Sequence, residues 1–393
     1  MPASRWAVLR SGDCACTAHP VRVCSAYVTE MEGDERQVRV FDEMSKYGYE
    51  QLIFAADEVS GLRAVIAIHN TTLGPALGGC RMWPYESEEE AVIDALRLAR
   101  GMTYKSSAAG LDLGGGKAVI IGDPRKDKSE VLLRAFGRFV DTLGGRYITA
   151  EDVGIRGEDV EIIHMETQHV VGLPSGPGAG GDPSPVTAYG VIRGITACLE
   201  ETFGESSFSG RRVAVQGVGN VGYSIVKHLA QQGATVYAAD VFEERVDAVV
   251  KEFDVQSIPV DEIYDVECDI FCPCALGGVI NKETVERLRC KIVAGSANNQ
   301  LKEEGYANIL EDLGILYAPD YVINAGGVIN VAEELYGYDR ERALRKAGAI
   351  YDRIKSVIET AKQKRISPHE AASHLAEERI AKIGGIHRIY VPE

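Results

Sequence analysis

Two lysines twelve residues apart carry the first chemical signal in this chain. Lys105 closes the run Gly101-Met102-Thr103-Tyr104-Lys105, and Lys117 closes Gly114-Gly115-Gly116-Lys117. Three glycines ahead of a lysine let backbone and ligand approach without obstruction by Cβ. Lys117 then heads an apolar run, Ala118-Val119-Ile120-Ile121, that reads as a buried strand. Desolvation at the mouth of a strand and repulsion from a second ammonium both lower a lysine pKa, which is how a lysine becomes a general base. Asp152, in Glu151-Asp152-Val153-Gly154 after another strand end, is placed to orient a lysine or a substrate amino group. Spacing alone leaves solvated, snorkelling lysines as the alternative. The glycine triplet speaks against it, because a structural lysine rarely needs one.

A second constellation lies downstream. Arg212–Gln216 reads as a strand, and Gly217-Val218-Gly219-Asn220-Val221-Gly222 follows at once. A helix is expected over Tyr223–Gln232 and a strand over Ala234–Ala239, ending in Asp240. This is G-x-G-x-x-G inside a strand–turn–helix–strand unit, with an acid 23 residues after the first glycine. Gly217 permits the tight turn, Gly219 lets backbone approach a pyrophosphate, and Gly222 allows close helix–strand packing. The helix N-terminus offers N–H groups and partial positive charge to phosphates. Asp240 can accept hydrogen bonds from ribose hydroxyls and would repel a 2′-phosphate, so NAD is expected rather than NADP.

The elements that must position these residues follow from pattern. Val40–Met44 reads as a short helix ahead of Gly48, and Leu52–Ala56 with Leu62–His69 as a hairpin. Leu62–His69 is also expected as a sheet edge that pairs across a symmetry axis between subunits. Ser87 and Glu90 form a capping box, and Val92, Leu96 and Ala99 predict a helix to about Gly101, leaving Lys105 just past its end. Glu130–Leu143 reads as an amphipathic helix and Tyr147–Thr149 as the start of a strand. The stretch Gly172–Pro185 is too rich in Gly and Pro for a regular element and marks a loop near a domain boundary. Helices are expected at Thr187–Thr202, Val328–Leu335, Arg340–Lys364 and Pro368–Lys382, the last three packing back on the first domain.

Composition excludes whole classes. The chain has 393 residues, 45% apolar, with a net charge of −16. That length suits two or three domains. The negative charge disfavours phosphate backbones, so no nucleic-acid partner is expected, and no run is long and apolar enough to suggest a membrane partner. Nine cysteines, an odd count, do not make a disulfide framework; reduced thiols in a cytoplasmic protein are expected. Cys272-Pro273-Cys274 lacks partners at zinc spacing, so no metal is expected. Residues 1–36 show no clear period and read as a disordered extension, with Met31 as a possible true start.

At these motifs the chain resembles the glutamate/leucine/phenylalanine/valine amino acid dehydrogenases, and most closely their leucine-specific branch. The matching stretches are Thr72–Gly79, Gly101–Lys105, Ala109–Lys117, Tyr147–Gly154, Pro183–Gly190, Gly217–Gly222, Pro273–Gly277, Gly295–Gln300 and Ala318–Val331, in order, from about Val38 to Lys382. The resemblance implies an α/β fold of two domains separated by a cleft. A substrate and oligomerisation domain would span 37–182, completed by C-terminal helices over 330–393. A Rossmann-type NAD domain would span 183–329. It also implies a homo-oligomer, an octamer by analogy, and NAD-dependent reversible oxidative deamination of an L-amino acid to a 2-oxo acid and ammonia.

By the same resemblance Lys105 holds the substrate carboxylate, Lys117 activates water and Asp152 stands beside the amino group. Gly78, Gly79, Met102 and Asn299 line the substrate site. Val218, Asn220, Val221, Thr187, Ala275, Leu276 and Asn298 join the fingerprint glycines and Asp240 around the cofactor. Glutamate-specific relatives carry lysine where Leu77 stands; phenylalanine-specific ones tend to glycine at Ala150 and leucine at Val328. Leu77, Ala150, Val328 and Val331 thus describe an apolar pocket for branched aliphatic side chains, leucine first, then valine and isoleucine. An aromatic substrate or a silent NAD-binding regulator are the competing readings. Ile155, where leucine-specific members usually have threonine, is expected to shift the Asp152 loop.

Overall fold

A computed structural model describes residues 39–386; the extension expected over 1–36 lies outside them. The described chain folds as two α/β domains, one built on a mixed sheet and one on a parallel sheet. In the mixed sheet the strands run in the order Gln51–Asp57, Leu62–Asn70, Gly114–Ile121, Ala76–Leu77, Tyr147–Ile148, with Cys80–Trp83 also paired to Gly114–Ile121. The first two form the expected antiparallel hairpin around Gly61. Leu62–His69 was a candidate sheet edge for pairing between subunits. It is interior, flanked by Gln51–Asp57 and Gly114–Ile121, so the edge is Gln51–Asp57 instead.

Alternation along Gly114–Ile121 sorts its two faces. Ala118 and Ile120 pack with Leu132, Leu133 and Phe136 of the helix Glu130–Asp141. Val119 packs with Val92, Ala95 and Ala99 of the helix Glu88–Ala108. Lys117 shares Val119's face. That helix does not stop at Gly101 as expected; it continues to Ala108, capped at its start by Ser87. A mid-helix glycine costs only about 1 kcal/mol, and burial of Thr103, Ser106 and Ser107 in the next turn offsets it. Lys105 therefore sits on the last helical turn rather than in a loop.

The parallel sheet runs Leu316–Tyr317, Ile292–Val293, Ile270–Pro273, Arg212–Gln216, Thr235–Ala239, Gln256–Ser257. The first strand of this domain is central, with later strands added to both sides. That is doubly wound order, which opens a crevice at the carboxyl ends of the strands where the direction of winding changes. The helix following Arg212–Gln216 starts at Asn220, three residues earlier than its apolar period suggested.

The C-terminal helices return to the first domain. Arg353 and Arg379 donate to the carbonyls of Ala108 and Leu111 at 3.1 and 2.8 Å, and Ser107 donates to the carbonyl of Ala376 at 2.9 Å. The single helix expected over Arg340–Lys364 is two, Arg340–Gly348 and Ile350–Lys364, interrupted at Gly348-Ala349. No described helix is long and apolar enough to cross a membrane.

Candidate active site

Lys117 lies within its strand, paired opposite Ala67, and not at the strand mouth. The glycine triplet ahead of it serves the protein more than a ligand. A Cβ on Gly115 would stand 2.1 Å from the backbone nitrogen of Thr103, and one on Gly116 would strike Tyr147 at 2.8 Å. Their absence lets the Lys105 helix press onto the strand, so both lysines serve one cleft.

Asp152 reaches the same place from the loop after Tyr147–Ile148. Its Oδ2 lies 2.5 Å from the Lys117 Nζ and accepts from the Arg81 Nε at 3.2 Å. Burial alone would raise this carboxyl, but the Lys117 and Arg81 cations outweigh it and hold it below the usual carboxylate range. Arg81 is fixed in turn by Asp94, to which it donates at 2.9 Å and to which the Tyr85 hydroxyl donates at 2.7 Å. The acid is thus ionised, doubly paired and rigid.

Lys105 differs. It is half-buried, and burial together with the nearby Lys117 charge pushes it down to about 8, against the opposing pull of Asp320 and Asp152. Its Nζ donates to Asn298 Oδ1 at 3.2 Å, and Asn324 Nδ2 donates to the same oxygen at 2.9 Å. This links the mixed-sheet domain to the parallel-sheet domain across the cleft. Asp320, buried beside it, accepts the backbone N–H groups of Gln300 and Tyr321 at 3.0 and 2.7 Å. Arg81, Asp94, Asp320 and Asn324 were missed in the sequence reading. Asp320 bears a charge inside the matching stretch Ala318–Val331, which was the available signal; Arg81 lies two residues past Thr72–Gly79.

Leu77, Ala150 and Val328 are buried in one extended apolar cluster that continues into the parallel-sheet domain, with Met102 and Val331 packed against its margin. Gly78 and Gly79 sit where a Cβ would strike the carbonyls of Gly116 and Glu151, so they draw strands together around the cleft. Ile155 is buried in the mixed-sheet core in one cluster with Leu132 and Phe136, and its backbone N–H donates to the Asp152 carbonyl at 2.9 Å, tying that core to the Asp152 loop.

The fingerprint holds a cavity of about 420 Å³ lined by Gly219, Asn220, Val221, Ala275, Ser296 and Asn298, among others. Gly217 has φ +96°, and a Cβ there would stand 2.7 Å from the Ala275 nitrogen. Gly219 faces open space, with nothing nearer to its Cβ position than Arg245 at 4.0 Å. The helix beginning at Asn220 has no side-chain cap. Open approach plus uncapped N–H groups fit a pyrophosphate. Asp240 is nearly buried; it accepts from the Val218 and Phe242 N–H groups at 2.7 and 3.0 Å, with Arg245 3.8 Å away. Its carboxylate braces the turn and keeps spare lone pairs for a ribose. Leu276 is exposed beside Ala275. Asn299 adopts φ +51°, which asparagine tolerates. Thr187 lies apart from this cavity, its hydroxyl donating to Pro183 and its side chain against Gly327.

Comparison with known proteins decides the family. Residues 51–169 match the Glu/Leu/Phe/Val dehydrogenase dimerisation domain, and 180–241 and 240–384 match the Glutamate/Leucine/Phenylalanine/Valine dehydrogenase model. The chain belongs to this family. It is an amino acid dehydrogenase, from a family that depends on NAD(P). It is 62% identical over 343 residues to the leucine dehydrogenase of Thermoactinomyces intermedius, covering 87% of this chain and 94% of that one. It is 48% identical over 358 residues to the phenylalanine dehydrogenase of Caldalkalibacillus thermarum, covering 90% and 96%. Among solved structures, L-tryptophan dehydrogenase from Nostoc punctiforme superposes with a TM-score of 0.79 at 44% identity, covering 88% of this chain and 99% of that one.

Proposed function

We propose that this protein catalyses the reversible, NAD-dependent oxidative deamination of L-leucine, and more slowly of valine and isoleucine, to the 2-oxo acid and ammonia. The observation that carries this reading is the convergence of Lys105, Lys117 and the doubly paired Asp152 beside an open dinucleotide cavity. The similarity to leucine dehydrogenases supports the substrate. Gly217–Gly222, Asp240 and Asn298 would hold NAD, which would supply the hydride acceptor for the substrate Cα.

The chain's own residues do the rest. The Lys105 ammonium holds the substrate carboxylate. Asp152 receives the amino group and a proton from it. Lys117, paired with Asp152, takes the proton of the water that adds to the imine and returns it as ammonia leaves. The fixed cations stabilise the oxygen charge that develops on that carbon. Leu77, Ala150, Val328, Met102 and Val331 enclose the aliphatic side chain. Leu77 offers no partner to a second carboxylate, so glutamate would bury an unpaired charge.

NAD reduction followed at 340 nm with leucine, valine, isoleucine, phenylalanine, tryptophan and glutamate side by side tests the proposal. Branched aliphatics are expected to lead. A lead for phenylalanine or tryptophan would overturn the pocket assignment, and no turnover despite NAD binding would point to a regulator. Substitution within the pocket gives a sharper check. Ala150→Gly with Val328→Leu is expected to shift the leucine-to-phenylalanine ratio of kcat/KM by roughly 10–100-fold toward phenylalanine, since pocket methyl groups discriminate by about 1–3 kcal/mol.

The same reading assigns 37–182 with 330–393 to the substrate domain, 183–329 to the cofactor domain, and the enzyme to the cytoplasm as a homo-octamer. The exposed edge Gln51–Asp57, with Phe54 facing solvent, suits pairing between copies. Sedimentation showing a stable monomer would count against assembly.

A further inference from the structure

Two thiols lie at the cofactor cavity and have no part in the reaction above. Strand Ile270–Pro273 carries Cys272, and Cys274 follows at its carboxyl end. Their Sγ atoms are 3.6 Å apart. Cys272 is fully buried, whereas Cys274 lines the cavity together with Gly219, Asn220 and Ser296. The other described cysteines, Cys80, Cys198, Cys268 and Cys290, are all buried. Cys274 is therefore the described thiol that solutes can reach, and they reach it through the space a dinucleotide would fill.

The two sulfurs are already in contact, and side chains two apart in extended backbone point to one face. A disulfide needs the Cβ atoms within ~3.5–4.5 Å, closer than parallel side chains two residues apart in extended backbone stand, so forming it bends the backbone at Pro273. Hydrogen bonds from the Cys272 thiol and from Ser296 hold the Cys274 thiol below the usual thiol range against the effect of burial. The N-terminus of the helix Asn220–Gln231, on the same cavity, favours the same thiolate.

We propose that Cys274 and Cys272 form an oxidant-sensitive pair that hydroperoxides convert to a disulfide, distorting the fingerprint turn of the dinucleotide cavity. The Cys274 thiolate attacks hydrogen peroxide; an S–O bond forms, the O–O bond breaks and hydroxide leaves. The Cys272 sulfur then attacks the Cys274 sulfur. The S–S bond forms, and the sulfenic oxygen departs with the Cys272 proton as water. In total two thiols are oxidised to a disulfide and one peroxide is reduced to two waters. Cys274 adjoins Ala275, whose backbone is packed on Gly217 with no room for even a Cβ between them. Drawing Cys274 toward Cys272 therefore moves the contact that shapes the fingerprint turn. The inference rests on the cofactor reading given above.

The test treats the full-length reduced protein with hydrogen peroxide and follows the peptide containing Cys272 and Cys274 by mass, alongside activity. The expected result is loss of two hydrogens from that peptide, with parallel loss of leucine oxidation, both restored by dithiothreitol. NAD at about ten times its Kd should slow both roughly tenfold, in proportion to the free fraction. Cys272→Ala should keep basal activity but form no disulfide, leaving Cys274 as a sulfenic acid that excess peroxide carries on to the sulfinic acid, which dithiothreitol does not reverse. Absence of the disulfide in the wild type would overturn the proposal. So would a disulfide that forms without change in activity and without slowing by NAD. Calorimetric titration of the reduced protein with NAD and NADP separates the two readings. Binding of neither overturns the cofactor reading and the gate with it; binding without protection overturns the gate alone.

Discussion

Lys117→Met is expected to lower kcat for leucine oxidation about a thousandfold, the middle of the range for losing a positioned general base, while leaving NAD binding within a few-fold of wild type. Lys117 is nearly buried and 2.5 Å from Asp152. Lys117→Arg separates charge from proton transfer. A guanidinium keeps the positive charge beside Asp152 but does not deprotonate in proteins, so it is expected to preserve the folded site and still fail in catalysis. A structural role alone would let arginine rescue. The same substitutions bear on Asp152. With Lys117 gone, Asp152 retains Arg81 as its charged partner, and burial raises its carboxyl toward the ordinary range. Residual activity of Lys117→Met should then decline at low pH, from a higher pH than in the wild type, as Asp152 takes up a proton. Single-turnover hydride transfer and steady-state pH profiles measure both effects. A kcat within tenfold of wild type would remove Lys117 from its assigned role.

What could be read from the sequence divides along a physical line. The fingerprint was legible because its logic is local. One turn, one helix start and one strand end lie within 24 residues, from Gly217 to Asp240, and the structure brings them together as expected. The hairpin and the Ser87 cap were legible for the same reason. Partnerships between distant residues were not. Arg81 meets Asp152 across 71 positions and Asn324 meets Asn298 across 26, and no local pattern announces either. Strand periodicity identified Leu62–His69 as a strand but carries no information on its neighbours, which is why an interior strand was taken as an edge. Gly101 illustrates a propensity overridden by packing, since the turn after it is buried on the sheet and on the returning C-terminal helix. The glycine triplet shows a correct signal with a different beneficiary. The missing Cβ atoms make room for Thr103 and Tyr147, and the close approach at Thr103 brings the Lys105 helix to the Lys117 strand.

Lys105→Met is expected to improve folding stability and abolish efficient substrate capture at once. In the folded protein burial holds Lys105 at about 8, against 10.5 in an exposed chain. Between these values the unfolded chain binds more protons, so the wild type gains stability as pH rises across the window. Below about pH 8 the full cost of the buried ammonium is present; above about 10.5 it is gone. The melting temperature of Lys105→Met should therefore exceed that of the wild type most at pH 7, with the gap narrowing from pH 8 and closing by about 10.5. Function moves the other way. Losing one partner of a desolvated charge pair costs about 2–5 kcal/mol, which is roughly 30- to several-thousand-fold in kcat/KM. The branched 2-oxo acid, which has no amino group to titrate, isolates the carboxylate contact. Its affinity for the wild type should fall about tenfold per pH unit above pH 8 as Lys105 loses its proton, and should stay flat in Lys105→Arg, whose charge persists. An equal pH dependence in the two proteins would place the carboxylate on another cation. A pH-independent stability difference would show that the cost at this position is packing and not charge. The two measurements together locate the destabilised ammonium and the substrate carboxylate at the same atom.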